Sequence, residues 1–333
     1  MIDALGRHLV DRAFPATGAG YRNLEAWLRS YGTGAAVGVE GTRAHGAELA
    51  RNLTRSGLEV VEFDRSDRKT RRLRGTSDPI DAYAAASAVA SGRATGTPKR
   101  RDGIAEAIRA LRVPLRSALE ARTQAINQAR QLLVAAPEAP QAPLRDRSWF
   151  ALAHACARLR PTDLSDPIGA TKAALRHLGR RILNLSHEVE APNTALQELT
   201  ARAAPELLAL QRVGPDIAGQ LLATTGDNPD RLRSDAAFAH LCGVAPIPAS
   251  TGRKDRHRLN RGGDRAASRA LHTIVLTRMS WDPRTRAYVE RRTQQGLSKK
   301  EIMRCLERYV AREVYQTLTT PPNTAGPKPA MPA

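Results

Sequence analysis

Ala35-Ala36-Val37-Gly38-Val39-Glu40, answered after one helical segment by Leu58-Glu59-Val60-Val61-Glu62-Phe63, decides the fold of the first hundred residues. Each is a short apolar run rich in Val, bounded by polar or glycine punctuation, and each suits a buried strand. Between them Ala44–Leu53 reads as a helix that stops near Gly57, a residue suited to a helix C-cap. On the N-terminal side, Gly20–Tyr31 predicts a helix with Leu24, Trp27 and Leu28 on one face, and His8–Phe14 predicts a short strand. On the other side Ser77-Asp78-Pro79 opens a further helix that closes at Gly92. Strands alternating with helices imply an α/β layer with a largely parallel sheet.

Beyond residue 100 the period changes. Apolar residues at 104, 108, 111, 115, 119, 126 and 133 follow the helical repeat, with Arg109, Arg112, Arg116, Arg122 and Arg130 between them. Pro114 is expected to kink or split that helix. Pro137, Pro140 and Pro143 mark a linker, and residues 148–158 and 168–210 resume the helical pattern. This is a long helical connector with coiled-coil character, its seam too irregular to specify an oligomer. Near Leu207 a third region begins, with Val213-Gly214-Pro215, an apolar run Ile217–Leu222 and a turn at Gly226-Asp227-Asn228-Pro229. A helix over roughly 234–241, a Gly/Pro/Arg-rich loop from Gly243 to Asp264, and helices at about 265–280 and 298–317 complete it. The tail after Leu318 has the composition of a disordered segment, and no internal repeat is evident.

The chain of 333 residues carries 52 Lys+Arg against 33 Asp+Glu, a formal charge of +19, and its length suggests two or three domains. Hydrophobic residues make up 41%, enough for a core, which excludes wholesale disorder. No run reaches the roughly 18 apolar residues of a membrane span, and Met1-Ile2-Asp3 opens no signal-peptide pattern, so a cytoplasmic, nucleoid-associated protein without a membrane partner is expected. Cys156, Cys242 and Cys305 lie too far apart for a zinc motif or a disulfide framework. The charge calls for an acidic partner, and nucleic acid is the fitting one. It is concentrated: residues 251–315 hold 17 Lys+Arg against 7 Asp+Glu. An aromatic content of 4% argues against a single-strand binder built on base-stacking platforms.

Three constellations carry chemistry. Glu40 ends a buried strand, where α/β sheets place their sites, and Asp78 and Asp81 share one helix face. Converging carboxylates hold Mg²⁺. On spacing alone, however, Asp78 before Pro79 reads better as a helix N-cap and Glu40 as a solvated acid. Second, Ser250 lies in the loop with Arg253, Lys254, Arg256, His257, Arg258 and Arg261. A hydroxyl attacking a phosphodiester needs such cations, although the residues alone equally describe a phosphate-binding loop in which Ser250 only donates a hydrogen bond. Third, Val213-Gly214-Pro215 ahead of an apolar helix resembles a helix-hairpin-helix turn, whose backbone N–H groups receive a phosphate. His45, His177, His187, His240 and His272 show no ligand spacing and read as surface or satisfied core histidines.

Taken together and in order, Glu40-Gly41-Thr42, Arg74-Gly75-Thr76-Ser77-Asp78-Pro79-Ile80-Asp81-Ala82, Ala136-Pro137-Glu138, Val213-Gly214-Pro215, Gly226-Asp227-Asn228-Pro229, Phe238 to Pro246, Ser250-Thr251-Gly252 and Arg258 to Asp264 resemble the insertion sequence 110 transposase family. The resemblance runs from about residue 3 to 316. It implies a RuvC-like (RNase H-type) domain over 1–98, a helical connector over 99–205, a mainly α transposase domain over 206–318, and a tail over 319–333. By the same resemblance the chain is a DNA transposase that recombines strands through a serine–DNA link formed by Ser250, with Thr251 as the fallback. Glu40, Asp78 and Asp81 would be ligands of Mg²⁺, and Gly214, Arg253, Lys254, Arg256, Arg258 and Arg261 would contact nucleic acid. Donor and target DNA, a bridge-type guide RNA and a second or further copies of the chain, as a dimer or tetramer, are the implied partners. Two departures stand out: Arg212 occupies a position where relatives carry Gly, and the strand with a first Asp that precedes the segment matched by Asp3 is expected to be missing. The expected alternatives are therefore an inactive nucleic-acid-binding relic, or a RuvC-like nuclease without a serine intermediate.

Overall fold

The computed structural model describes residues 1–32, 36–41, 46–63, 77–136, 143–250 and 257–320. The chain forms two compact units, Met1–Gly103 with Thr225–Phe238, and Ile104–Thr224 with Ala239–Ala333.

In the first unit α1 (Gly18–Arg29) precedes strand β1 (Ala36–Glu40), helix α2 (Ala47–Arg55) and strand β2 (Glu59–Phe63). The strands pair in parallel, from Ala36↔Glu59 to Glu40↔Phe63, with α2 as the crossover that parallel pairing requires. Val39, Ala50, Leu53 and Val60 form the core between sheet and helix, flanked by Leu28, Val37, Leu49 and Leu58. Helix α3 (Asp78–Ala90) packs on β1. The approach is close at Gly38, where a Cβ would stand 2.8 Å from the carbonyl oxygen of Ala85, so the strand needs a glycine there.

The returning segment 225–238 fastens to this unit through backbone carbonyls. Asn228 Nδ2 donates to Pro98 O (3.0 Å), Arg231 Nε to Thr97 O (3.0 Å) and an Arg233 guanidinium N–H to Thr95 O (2.7 Å). Arg231 also pairs with Glu62 of β2 at 3.2 Å, both side chains largely buried.

The strand expected over His8–Phe14 does not form. The chain doubles back at Gly6 (φ +78°), Asp3 Oδ1 accepts from the N–H groups of Leu5 and Arg7, and only an isolated bridge, Ile2↔His8, results. Asp3 N donates to Arg7 O and Leu9 N to Met1 O across that bridge, both at 3.0 Å, and Pro15, which has no backbone N–H, cannot extend the pairing.

The second unit is helical. α4 (Ile104–Ala135), α5 (Trp149–Ala157) and α6 (Pro167–Ala203) pack around Ala125, Ala129, Leu133, Leu152, Cys156 and Leu175. α4 and α6 run antiparallel. Ile108, early in α4, meets Leu196 and Thr200, late in α6, around Gly219. Pro114 lies exposed inside α4 and the helix continues through it, because the lost N–H bond and the ring fall on the solvent face. Then come α7 (Pro205–Ala209), α8 (Pro215–Thr225), α9 (Asp235–Leu241), a two-strand hairpin of β3 (Ile247–Pro248) and β4 (His257–Arg258), and helices α10 (Arg265–Trp281), α11 (Pro283–Gln294) and α12 (Lys299–Thr319). The last three pack on one another. The expected boundary at 205/206 thus falls within one compact unit, and the proline-rich stretch 137–142 and the tail beyond Thr320 lie outside the described residues.

Candidate functional site

Ser250 stands two residues beyond β3, exposed, on the tip side of the β3–β4 hairpin. The stretch expected as an irregular loop therefore has an ordered base, with Ile247 facing Arg258 and Pro248 facing His257. Thr251, Arg253, Lys254 and Arg256 lie outside the described residues. Arg258 and Arg261 are exposed, and Arg304 donates to His257 O (3.2 Å), which ties β4 to α12.

The hairpin is held from below by the Cys242-Gly243 and Gly263-Asp264 pairs. A Cβ on Gly263 would lie 2.1 Å from Gly243 N and 2.3 Å from its Cα, so two backbones touch here without side chains between them. Gly243 has φ +71°, the left-handed region that ends α9. Asp264 donates its N–H to Leu241 O (2.7 Å), and its Oδ1 accepts from Ala266 N and Ala267 N as the N-cap of α10. Its other oxygen accepts from Thr224 Oγ1 (2.9 Å). Asn260 Oδ1 accepts from Gly262 N (2.9 Å) and shapes the turn between them. These residues are scaffold: they fix where the serine-bearing tip begins.

Gly214 precedes α8, and a Cβ there would meet nothing within 4 Å. Arg212 has φ +66°, a conformation a glycine adopts without strain, and its guanidinium lies 6.0 Å from the Trp281 ring centroid. The turn geometry is therefore kept in spite of the substitution.

Glu40 closes β1, with Gly41 turning away at φ +71°. Asp78 and Asp81 sit in the first turn of α3, Asp78 exposed and Asp81 half-buried, with Asp81 N bonded to Ser77 O (2.9 Å). The N-cap position belongs to Ser77, so Asp78 is not the cap that its place before Pro79 suggests. Acids in a first turn suit the helix dipole in any case. Among the described residues no three His, Cys, Asp or Glu side chains form a group that could hold a metal ion. Glu40, Asp78 and Asp81 are thus on neighbouring elements but, as placed, do not fit a Mg²⁺ ion together.

Some of the expected cationic face is structural. Arg278 pairs with Glu313 (2.6 Å) and donates to Gln211 O, while Arg291 and Arg292 lie over Tyr288. Sequence reasoning set His272 aside, yet its Nδ1 lies 2.8 Å from Glu307 Oε1. No helix among the described residues is long and apolar enough to cross a membrane.

Comparison with known proteins agrees with the resemblance. A family model described as the transposase IS116/IS110/IS902 family matches residues 204–290, and a DEDD-type transposase model of the IS110 group matches residues 1–136. The chain is also similar to an insertion element IS900 uncharacterized 42 kDa protein of Mycobacterium paratuberculosis, 25% identical over 134 residues, which is 39% of this chain and 34% of that protein. The matched part therefore spans about a third of the length of that curated relative. Two models of one family, in the expected order and together matching residues 1–136 and 204–290, place the chain: it belongs to the IS116/IS110/IS902 transposase family.

Proposed function

We propose that this chain is a DNA transposase that cuts and rejoins strands through a covalent bond between Ser250 and a DNA phosphate. The observation that carries the reading is the hairpin itself: an exposed hydroxyl presented beyond a clamped two-strand base, in the most basic region of the chain. In the reaction the Ser250 oxygen forms a bond to phosphorus and loses its proton, and the phosphorus–oxygen bond to the departing sugar breaks. That oxygen takes up a proton. A hydroxyl of the second strand then displaces the serine and reseals the backbone. Arg258 and Arg261, with Arg253, Lys254 and Arg256, neutralise the charge that grows on the phosphoryl oxygens. The backbone at Gly214 offers N–H groups at the start of α8 to a further phosphate.

The finer parts of the reading rest on family membership. They are a RuvC-like organisation of the first unit, donor and target DNA as substrates, a bridge-type guide RNA, and assembly as a dimer or tetramer. Dependence on a divalent ion is supported by the DEDD-type match to residues 1–136, with Glu40, Asp78 and Asp81 as the acids concerned. As placed, those three do not fit the ion together.

The test is a DNA substrate nicked beside the cleavage point, so that the religation partner diffuses away. Wild type should accumulate protein joined to a DNA end, mapped by peptide mass to Ser250, and Ser250→Ala should abolish the adduct. An adduct on Thr251, or efficient recombination by Ser250→Ala, contradicts the assignment.

A further inference from the structure

A cavity of about 520 Å³ opens in the second unit between the first turns of α10 and α12 and the segment that follows β4. Both helices line it with the same spacing, i, i+3, i+4 and i+7. These are positions 265, 268, 269 and 272 on α10, and 300, 303, 304 and 307 on α12. That spacing is one face of a helix, so two matching faces flank the space while Ala267, Leu271, Ile274, Ile302, Leu306 and Val310 are buried elsewhere.

The chemistry of the two faces is one-sided. Arg265, Arg269, Lys300 and Arg304 surround the opening, with Arg261 across from them, and among the described residues none of the five has a salt bridge. Arg265 and Lys300 stand in the first turns of their helices, where the helix dipole disfavours cations. Asp264 and the capping box of Ser298 with Glu301 already supply the caps, so capping does not account for these cations. An anionic ligand does. At the i+7 positions Glu307, with 9% of its side chain exposed, bonds His272 Nδ1, while the imidazole remains 42% exposed at the cavity. With the carboxylate behind Nδ1, the ring is fixed and Nε2 is left for the cavity side.

We infer that this cavity binds a nucleotide of an unpaired nucleic-acid strand, its phosphate held by Arg265, Arg269 and Lys300, with the His272 ring lining the same space. The volume far exceeds one phosphate, and Leu259 and Met303 give the remaining wall an apolar surface for a sugar or base. A base can enter only when it has left its stack, which selects an unpaired strand over a duplex. Binding is through charge and shape rather than aromatic stacking, in keeping with the low aromatic content. The inference rests on the chain acting on nucleic acid, and not on Ser250 as nucleophile.

The test is fluorescence anisotropy on the full chain with a labelled single-stranded DNA oligonucleotide, an RNA of the same sequence and the DNA duplex. Arg265→Ala with Lys300→Ala should weaken single-strand binding at least about tenfold and reduce the salt slope by about 1.4, at roughly 0.7 for each phosphate charge no longer neutralised. The control, Arg180→Ala with Arg181→Ala on the exposed side of α6, removes the same charge and should leave single-strand binding within about threefold. His272→Gln and Glu307→Gln should each weaken it several-fold at unchanged melting temperature. The DNA and RNA arms identify which strand the cavity serves. Equal weakening in the two double variants, or weakening confined to the duplex, overturns the inference.

Discussion

Two adjacent glycines, Gly262 and Gly263, should respond to very different degrees to the same added methyl group. At Gly263 the new Cβ would overlap the backbone of Gly243 at 2.1 and 2.3 Å, and the carbonyl carbon of Cys242 lies at 2.9 Å. No rotamer relieves a clash between backbones, so one of the two segments must shift. Moving Gly263 drags Asp264, and with it the bond to Leu241 O, the two N-cap bonds of α10 and the bond from Thr224. At about 1 kcal/mol for each hydrogen bond, Gly263→Ala should cost about 3–5 kcal/mol. At Gly262 the same Cβ meets only Asn260 Oδ1 at 3.3 Å, and Gly262→Ala should cost under about 1 kcal/mol. Urea unfolding of the two variants beside wild type measures both. A difference between them smaller than about 1 kcal/mol would refute the steric account of the hairpin base.

Arg231→Ala removes one partner of Glu62, in a largely buried pair, and a bond to Thr97 O, and should cost about 2–4 kcal/mol. Limited proteolysis should then cut first within 225–238. Asp282 caps α11: burial pushes its carboxyl up, but hydrogen bonds from Thr285 and the nearby Arg278 charge prevail and hold it below the ordinary 3.8. A depressed carboxyl stabilises the fold above its unfolded value and loses that contribution as the pH falls through its folded one. Protection of the α11 amides in hydrogen exchange should therefore survive at about pH 4 and fade below it. Asp282→Ala, which costs about 1 kcal/mol, should lose that protection at neutral pH too.

Much of this architecture is legible in the sequence because local and tertiary demands coincide. The Val-rich runs that end at Glu40 and Phe63 form the parallel pair, and Gly57 and Gly92 take the positive φ values that close α2 and α3. Helix α11 is not legible in the same way. Between Pro283 and Gln294 only Thr285 and Tyr288 are buried, and the rest is largely Arg, Glu, Gln and Thr without an apolar stripe. Its one readable signal is Asp282 before Pro283, an N-cap followed by Pro at the first helical position. The same pairing at Asp78-Pro79 suggests a cap at a position that Ser77 in fact occupies, so the rule locates a helix start to within a residue and does not assign the side chain's role. The hairpin of β3 and β4 is too short for any periodicity to reveal. The His272–Glu307 bond joins residues 35 apart on two helices, and it appears in sequence only as the repeated spacing of the two helix faces.

The motif glycines separate into two physical kinds. Gly38 and Gly263 are required by close approaches within the fold, and Gly226 and Gly243 by their φ values of +87° and +71°. Gly214 is required by neither, since its φ is outside the left-handed region and its Cβ site is open space. An alanine there would fit, and by helix propensity alone it would be preferred next to α8. Without a Cβ at Gly214, the backbone at the start of α8 is left uncovered on that side. Ser250 stands in a similar relation to its hairpin. The clamp at Gly243 and Gly263 fixes the base, and the serine is exposed beyond it. A substitution at an exposed position of this kind shifts stability by under about 0.5 kcal/mol. A change in reactivity at the hairpin tip is therefore readable as chemistry and not as folding.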